Sequence, residues 1–261
     1  PGYPSYSAVS KIVEASIEHY DLDQNNGWNI DLAALEKKDL DRVKLMWINF
    51  PNMPTGSQAD KGIISNLVAL AKKHQFLIIN DNPYSLILND IPFSIFQIPG
   101  AKEVCLELNS LSKSHNMAGW RIGWLAGGSD YLNAVLKVKS NMDSGMFLAL
   151  QKAAVNALQN KASWHQEQNE VYRDRKELIG QIFNYLKVSY DPNSTGMFVW
   201  GKISAEYEKV EDLVDKLLYE ANVFITPGFI FGSNGSRYIR ASLCAKKEVI
   251  QEAFSRIKKH L

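Results

Sequence analysis

The chain has 261 residues, 46% of them hydrophobic and 22% charged, with a formal net charge of +1. That is enough for one large domain or two modest ones with real cores, in an ordinary globular composition. The near-neutral balance, with no basic block, argues against a nucleic-acid partner or a polybasic membrane role, and no apolar run approaches the length of a membrane span.

Pro1-Gly2-Tyr3-Pro4 has neither a charged n-region nor an apolar h-region, so no signal peptide is expected. The opening on Pro reads like the middle of a longer sequence, and an N-terminally truncated or processed chain is the expectation. Residues 5–19 carry Val9, Ile12, Val13 and Ile17 at helical spacing. Asp31 opens a short helix as an acidic cap. Residues 43–48 read as a buried strand, and 49–56 as a loop rich in Pro, Asn and Gly. Residues 57–74 form an amphipathic helix with Ile63, Ile64, Leu67, Val68 and Ala71 on one face. Residues 76–79 are a short buried strand that ends at Asn80-Asp81-Asn82-Pro83. Strands follow at 104–108 and 122–126, separated by the loop 109–119, and a helix at 129–139.

Strands alternating with helices predict an α/β fold with a mostly parallel sheet covered on both faces. In such sheets ligands gather beyond the carboxyl ends of the strands, where the polar clusters of this chain fall. After Gly145 the texture changes. Long helices at 147–159 and 163–183 precede short strands at 188–190, 197–200, 223–225 and 238–243, with helices at 209–220 and 246–260. The expected organisation is an incomplete large domain at 1–145, linking helices at 146–184 and a smaller α+β domain at 185–261. Cys105 and Cys244 cannot make a disulfide framework. Each sits in an apolar, strand-like run, so both are expected to be buried free thiols.

The loop after the third strand carries the chemistry. Lys113 stands among Ser110, Ser112 and Ser114, with Arg121 eight positions on. A solvated side chain is the ordinary state of a lysine. Two serine hydroxyls and a planar, permanently charged guanidinium, however, make a phosphate site beside it. A lysine beside a phosphate site in an α/β crevice is what a pyridoxal 5′-phosphate (PLP) enzyme needs.

The run Ser110-Leu-Ser-Lys113 to Asn-Met-Ala-Gly-Trp-Arg121-Ile-Gly resembles the lysine signature of class I/II aminotransferases of PLP fold type I. Four more segments resemble that family in its order: Pro1-Gly-Tyr3-Pro-Ser-Tyr6, Asn49-Phe-Pro-Asn-Met-Pro-Thr-Gly56, Asp81-Asn-Pro-Tyr84 and Tyr238-Ile-Arg240-Ala-Ser-Leu. Each motif is short, but five in order span essentially the whole chain. Lys139-Ser-Asn-Met-Asp-Ser-Gly-Met-Phe and Gly100-Ala-Lys-Glu-Val resemble the branch of LL-diaminopimelate and related alanine- or aspartate-type aminotransferases.

The resemblance implies a role for each residue. Lys113 would hold PLP as a Schiff base and, once freed, move a proton as base and acid in turn. Asp81 would face the pyridine nitrogen, Tyr84 would donate to the phenolic oxygen, and Tyr3 would stack on the ring. Ser110, Ser112 and Arg121 would hold the phosphate. Arg240 would grip the substrate α-carboxylate through two parallel hydrogen bonds. His115 is expected to pack behind the lysine. Substrates would be an amino acid and a 2-oxo acid. The expected assembly is a cytoplasmic homodimer without a metal, residues 139–145 reaching the neighbouring cofactor phosphate. A carbon–sulfur β-lyase or decarboxylase on the same fold, or a non-catalytic PLP or amino-acid sensor, stays open, because fold does not fix reaction.

Two departures from the family pattern stand out. Met53 occupies the position of the asparagine that bonds the phenolic oxygen, and a thioether cannot donate a hydrogen bond. The family's phosphate-cradling turn and N-terminal arm have no counterpart in this sequence. Weak PLP binding and poor turnover by the 261-residue chain are the expectation.

Overall fold

The computed structural model describes residues 1–261 and divides the chain into two compact units. One comprises residues 31–51 and 59–166; the other, residues 1–30, 52–58 and 167–261.

The first, the lysine unit, is built on four strands: β1 (Leu45–Ile48), β2 (Leu77–Asp81), β3 (Cys105–Ser110) and β4 (Gly123–Gly127), in that spatial order. β1, β2 and β3 run parallel, and β4 is antiparallel to β3, so the sheet is mostly parallel as expected. Short apolar runs make the parallel strands because both faces are covered: Ile48, Ile78 and Leu106 are buried. α3 (Lys61–His74) shows why a segment becomes one of the covering helices. Asp60 caps it by accepting from the Gly62 and Ile63 N–H groups, so it starts four residues later than Ser57. Ile64, Leu67, Val68 and Ala71 form the buried stripe, and Lys72, Lys73 and His74 sit in the last turn, where positive charge suits the helix dipole. Gln75, left-handed at φ 57°, ends the helix. Truncating Leu67, which has no exposed surface, to Ala would cost about 2–5 kcal/mol.

The smaller helices α2 (Leu32–Leu35), α4 (Ala101–Val104) and α5 (Leu111–Ser114) complete the connections. α6 (Ser129–Met142) and α7 (Leu148–Leu158) follow, and neither has a buried residue. Leu136, Met142, Phe147 and Leu148 are all at least 60% exposed. No helix of the chain is long and apolar enough to cross a membrane.

The second, the arginine unit, carries an antiparallel sheet of β5 (Ser189–Tyr190), β6 (Phe198–Lys202), β8 (Tyr238–Ser242) and β7 (Thr226–Pro227), in that spatial order. Its helices are α1 (Ser5–Ile12), most of α8 (Ala162–Tyr185), α9 (Val210–Ala221) and α10 (Lys247–His260). Val210, Leu213, Val214 and Leu217 give α9 a continuous buried stripe.

Residues 1–30 group with this unit rather than with the β1–β4 sheet, which differs from the organisation expected from sequence. The contacts explain it. Gly2 N–H donates to Phe231 O, Asn234 donates to Asp21 and Leu22, and Trp28 packs edge-on against Trp200 and Tyr238.

Local differences have local causes. α1 stops at Ile12, not residue 19, because Glu14 turns left-handed at φ 55° while Val9, Ile12 and Val13 stay exposed. β7 pairs at Thr226–Pro227 rather than 223–225, after Asn222 ends α9 with a left-handed cap. Cys105 is buried, and burial pushes its thiol up to about 12. Cys244, expected buried, is exposed: Leu243 takes the last buried position and Cys244 falls in the turn beyond β8.

Candidate active site

The three parallel strands of the lysine unit end along one rim, and the sequence motifs sit there. β2 ends on Asp81, which pairs in register with Leu108 of β3. Two residues on, β3 ends at Ser110, which pairs with Gly123 of β4. Alternation then sorts the side chains. Asp81, Leu108 and Ser110 share one face, and Asn80, Glu107 and Asn109 share the other. On the second face the polar groups satisfy one another: Glu107 accepts from Asn80, Asn109 and the Ile95 N–H at 3.1, 3.2 and 2.8 Å. A cavity of about 270 Å³ lined by Asn82, Glu107, Asn109, His115 and Trp124 opens on that second face, away from Asp81. Asn49, just past β1, donates to Asp81 O at 2.5 Å and ties the rim together. Tyr84 follows in the turn after β2 and is buried.

Lys113 lies in α5, the single helical turn that follows β3 directly. Ser110 caps that turn by accepting from the Ser112 N–H at 3.0 Å and donates its own proton to Ile122 O at 3.3 Å. Its hydroxyl is thus engaged with backbone, which shifts any phosphate contact toward Ser112 and Arg121. Arg121 is exposed, donates through Nη1 to Ala118 O at 2.9 Å, and adopts φ 54°. Asn116 also has φ 54°. Two non-glycine residues in the left-handed region within one short loop store strain on the order of 1–3 kcal/mol each. At Gly119 a side chain would meet nothing within 4 Å, so the loop faces open space.

Behind Lys113 sits a cluster that the motif reading reduced to packing. His115 stacks on Trp164 at 5.8 Å and meets His165 edge-on at 4.9 Å, both in the first turn of α8. Its Nδ1 lies 2.8 Å from Ser114 Oγ, and that hydroxyl donates to Ser110 O at 3.0 Å. Burial, reinforced by the neighbouring His165, holds His115 below the usual histidine range; burial lowers His165 too. The adjacent Trp164 and His165 were the available sequence signal, but nothing in their spacing points to His115.

Tyr3 and Arg240 belong to the arginine unit. Tyr3 is 46% exposed, with its ring edge-on to Tyr6 at 5.6 Å. Arg240 projects from β8, paired with Trp200 of β6 and Thr226 of β7. Its guanidinium carbon lies 4.1 Å from the centre of the Phe198 ring and 4.4 Å from that of Phe231. Its Nη1 donates to Met53 Sδ at 3.3 Å. Residues 139–145 span the exposed end of α6 and the turn after it, where Lys139 pairs with Asp143, and Asp143 accepts from the Gly145 N–H. The lysine and that backbone N–H hold the Asp143 carboxyl below the usual range.

The donor set fits PLP. The cofactor offers a phosphate, a pyridine nitrogen, a phenolic oxygen and an aldehyde. The lysine unit supplies a guanidinium with Ser112, a carboxylate, a phenol and an amine, drawn from β2, α5 and the turns beside them. Asp81 would hold the ring nitrogen, Tyr84 the phenolic oxygen, Arg121 and Ser112 the phosphate, and Lys113 the aldehyde carbon.

Comparison with known proteins agrees. The family model for aminotransferase class I and II matches residues 1–257. The LL-diaminopimelate aminotransferase of Moorella thermoacetica is 37% identical over 264 residues, 100% of this chain and 67% of that enzyme. That of Maridesulfovibrio salexigens is 36% identical over 99% of this chain and 67% of its own length. Among solved structures, apo-BacF from Bacillus subtilis superposes with a TM-score of 0.91 at 34% identity, covering 99% of this chain and 66% of that one. An aminotransferase from Staphylococcus aureus gives 0.90 at 30%, covering 99% and 69%. The chain spans about two thirds of the length of the relatives it matches. With the motifs in order, the strands in register and the family model covering nearly every residue, the chain belongs to the class I and II aminotransferases, which are PLP-dependent enzymes.

Proposed function

We propose that this chain carries the lysine and the carboxylate-binding arginine of an aminotransferase that exchanges an amino group between an amino acid and a 2-oxo acid. The observation that supports it best is the shared rim: Asp81 at the end of β2 and Lys113 one turn past the end of β3, on adjacent parallel strands. PLP, when bound, supplies an electron sink for the bond broken at the substrate Cα. Lys113 would take the Cα proton and give it back as base and acid in turn. Asp81 keeps a proton on the ring nitrogen, and Tyr84 donates to the phenolic oxygen. Ser112 and Arg121 hold the phosphate. Arg240 fixes the α-carboxylate, so free amino acids and 2-oxo acids are the substrate class, and Tyr3 flanks the ring.

The relatives named LL-diaminopimelate aminotransferase make that amino acid the first substrate to test. A cytoplasmic homodimer is part of the same reading; exposed apolar residues on α6 and α7, such as Leu136 and Leu148, favour a subunit contact there.

Borohydride reduction of the PLP-loaded protein, followed by peptide mass spectrometry, tests the central assignment. The cofactor is expected on Lys113. A label on any other lysine, or none, would sink it.

A further inference from the structure

The arginine that the proposed function assigns to the substrate carboxylate is oriented by an unusual partner. We infer that Met53 is the positioning residue of Arg240, its thioether sulfur setting the rotation of the guanidinium so that the remaining N–H groups face the carboxylate. The inference rests on the reading of Arg240 given above.

The two aromatic faces do part of the work. Phe198 and Phe231, at 4.1 and 4.4 Å from the guanidinium carbon, attract the cation to their rings. A ring face is nearly indifferent to how a cation spins above it. An acceptor lying along an N–H bond is not, and Met53 Sδ lies 3.3 Å from Nη1 along such a bond.

The sulfur is itself firmly held. Met53 is 4% exposed. Its loop is closed by Gly56 N–H to Asn52 O and Asn52 N–H to Ser57 O, both 2.8 Å. Thr55 Oγ1 donates to Asn52 Oδ1 at 2.8 Å, and Thr195 donates to Gly56 O through its N–H and its hydroxyl at 2.8 and 2.9 Å. A buried side chain on a loop anchored in this way is able to orient a long, flexible arginine.

The acceptor's chemistry matters as much as its place. A carboxylate here would neutralise the guanidinium and compete with the substrate. A thioether is a weak, uncharged acceptor with no donor of its own. It fixes direction without neutralising the guanidinium. Arginine carries five N–H donors, and the bond to sulfur uses one of them.

If acceptor chemistry and not bulk is the role, variants at 53 will sort by acceptor. Met53→Leu keeps volume and loses the acceptor; Met53→Gln restores one as a carbonyl oxygen. With the PLP-loaded protein, the expected result for Met53→Leu is a rise of about three- to tenfold in KM for amino acid and 2-oxo acid, with kcat unchanged, as a misoriented guanidinium loses part of one hydrogen bond to the carboxylate. The inhibition constant of propionate, an unreactive carboxylate, should rise by the same factor, and Met53→Gln should stay near wild type in both. In protein labelled with 13C at methionine methyls, the Met53 signal, assigned by its loss in Met53→Leu, should shift on titration with propionate and stay still in Arg240→Lys.

Equal propionate affinity in Met53→Leu and wild type would overturn the inference. So would a Met53→Gln variant as impaired as Met53→Leu, which is the mark of packing alone. If Arg240→Lys weakens propionate binding but Met53→Leu does not, only the role of Met53 fails. If Arg240→Lys binds propionate as well as wild type, the carboxylate assignment fails and takes this inference with it.

Discussion

Lys113 and Arg240 are held in opposite ways. Lys113 sits in a single helical turn at the end of a strand, fixed by backbone and hydroxyl hydrogen bonds and half-exposed beside two left-handed residues. Arg240 rises from the interior of a strand, flanked on both sides by paired strands, between two aromatic rings and a buried thioether. The contrast follows from the work proposed for each. A group that shuttles a proton between two atoms needs room to swing, which a strand end and an open loop provide. A group that only grips needs a fixed direction, and a rigid sheet with apolar walls provides it.

The largest effect that would test this contrast is at the moving group. Lys113→Ala should lower amino transfer about a thousandfold, through kcat, with substrate KM little changed. A loss that fell mainly on KM would make Lys113 a binding residue and erase the distinction. Arg240→Ala should act the other way, raising KM for both substrates about a hundredfold, the cost of leaving a carboxylate without its charged partner. Steady-state kinetics of the two variants, compared with a non-carboxylate amine as substrate, checks both: the amine should be indifferent to Arg240 and still depend on Lys113.

A third effect tests the rigidity of the gripping side. Gly56 has φ 73°, and a side chain there would come within 2.6 Å of Thr195 O and 2.8 Å of Ser194 Cβ. Gly56→Ala should cost about 2–3 kcal/mol, from strained backbone and overpacking together. A lower urea midpoint at constant m value would report it. Arg240 should then lose orientation through Met53, with KM rising more than kcat falls.

The two regions also differed in how far sequence could reach. The placing of Asp81, Ser112 and Lys113 at strand ends was legible because such ends in a parallel sheet punctuate the sequence with polar clusters; the roles proposed for them and for Arg121 come from the family motifs. The parallel pairing of β1–β3 followed from alternation of helices and strands. The grouping of residues 1–30 with 167–261 was not legible. It rests on contacts such as Asn234 to Asp21, more than two hundred positions apart, which no local pattern encodes. The Met53–Arg240 contact was hidden for the same reason: the motif showed that an asparagine was absent, and only the fold shows what the methionine touches. Cys244 was misread because an apolar run marks a strand but not the residue at which it ends.

The smallest effect belongs to the histidine cluster behind Lys113. His115 and His165 meet at 4.9 Å over Trp164, and both are held below the usual value of 6.5, chiefly by burial. Glu107 lines the same cavity, but its oxygens are taken up by Asn80, Asn109 and the Ile95 N–H, so it does not pair with the imidazoles. Between the lowered folded values and 6.5 the unfolded chain binds more protons than the folded one. Stability therefore falls as pH drops below about 6.5 and levels off once the folded values are passed. His115→Gln removes one of these groups and, with it, the repulsion between two imidazolium ions. Its urea midpoint should decline less than that of wild type between pH 7 and pH 5. At pH 7, where both rings are neutral, Ser114→Ala should slow kcat by a small factor, because the hydroxyl links the His115 ring to Ser110 O under the lysine turn. Parallel stability profiles for wild type and His115→Gln would show that the cluster serves as apolar filling, and the turn that carries Lys113 would then be held by its Ser110 cap without help from α8.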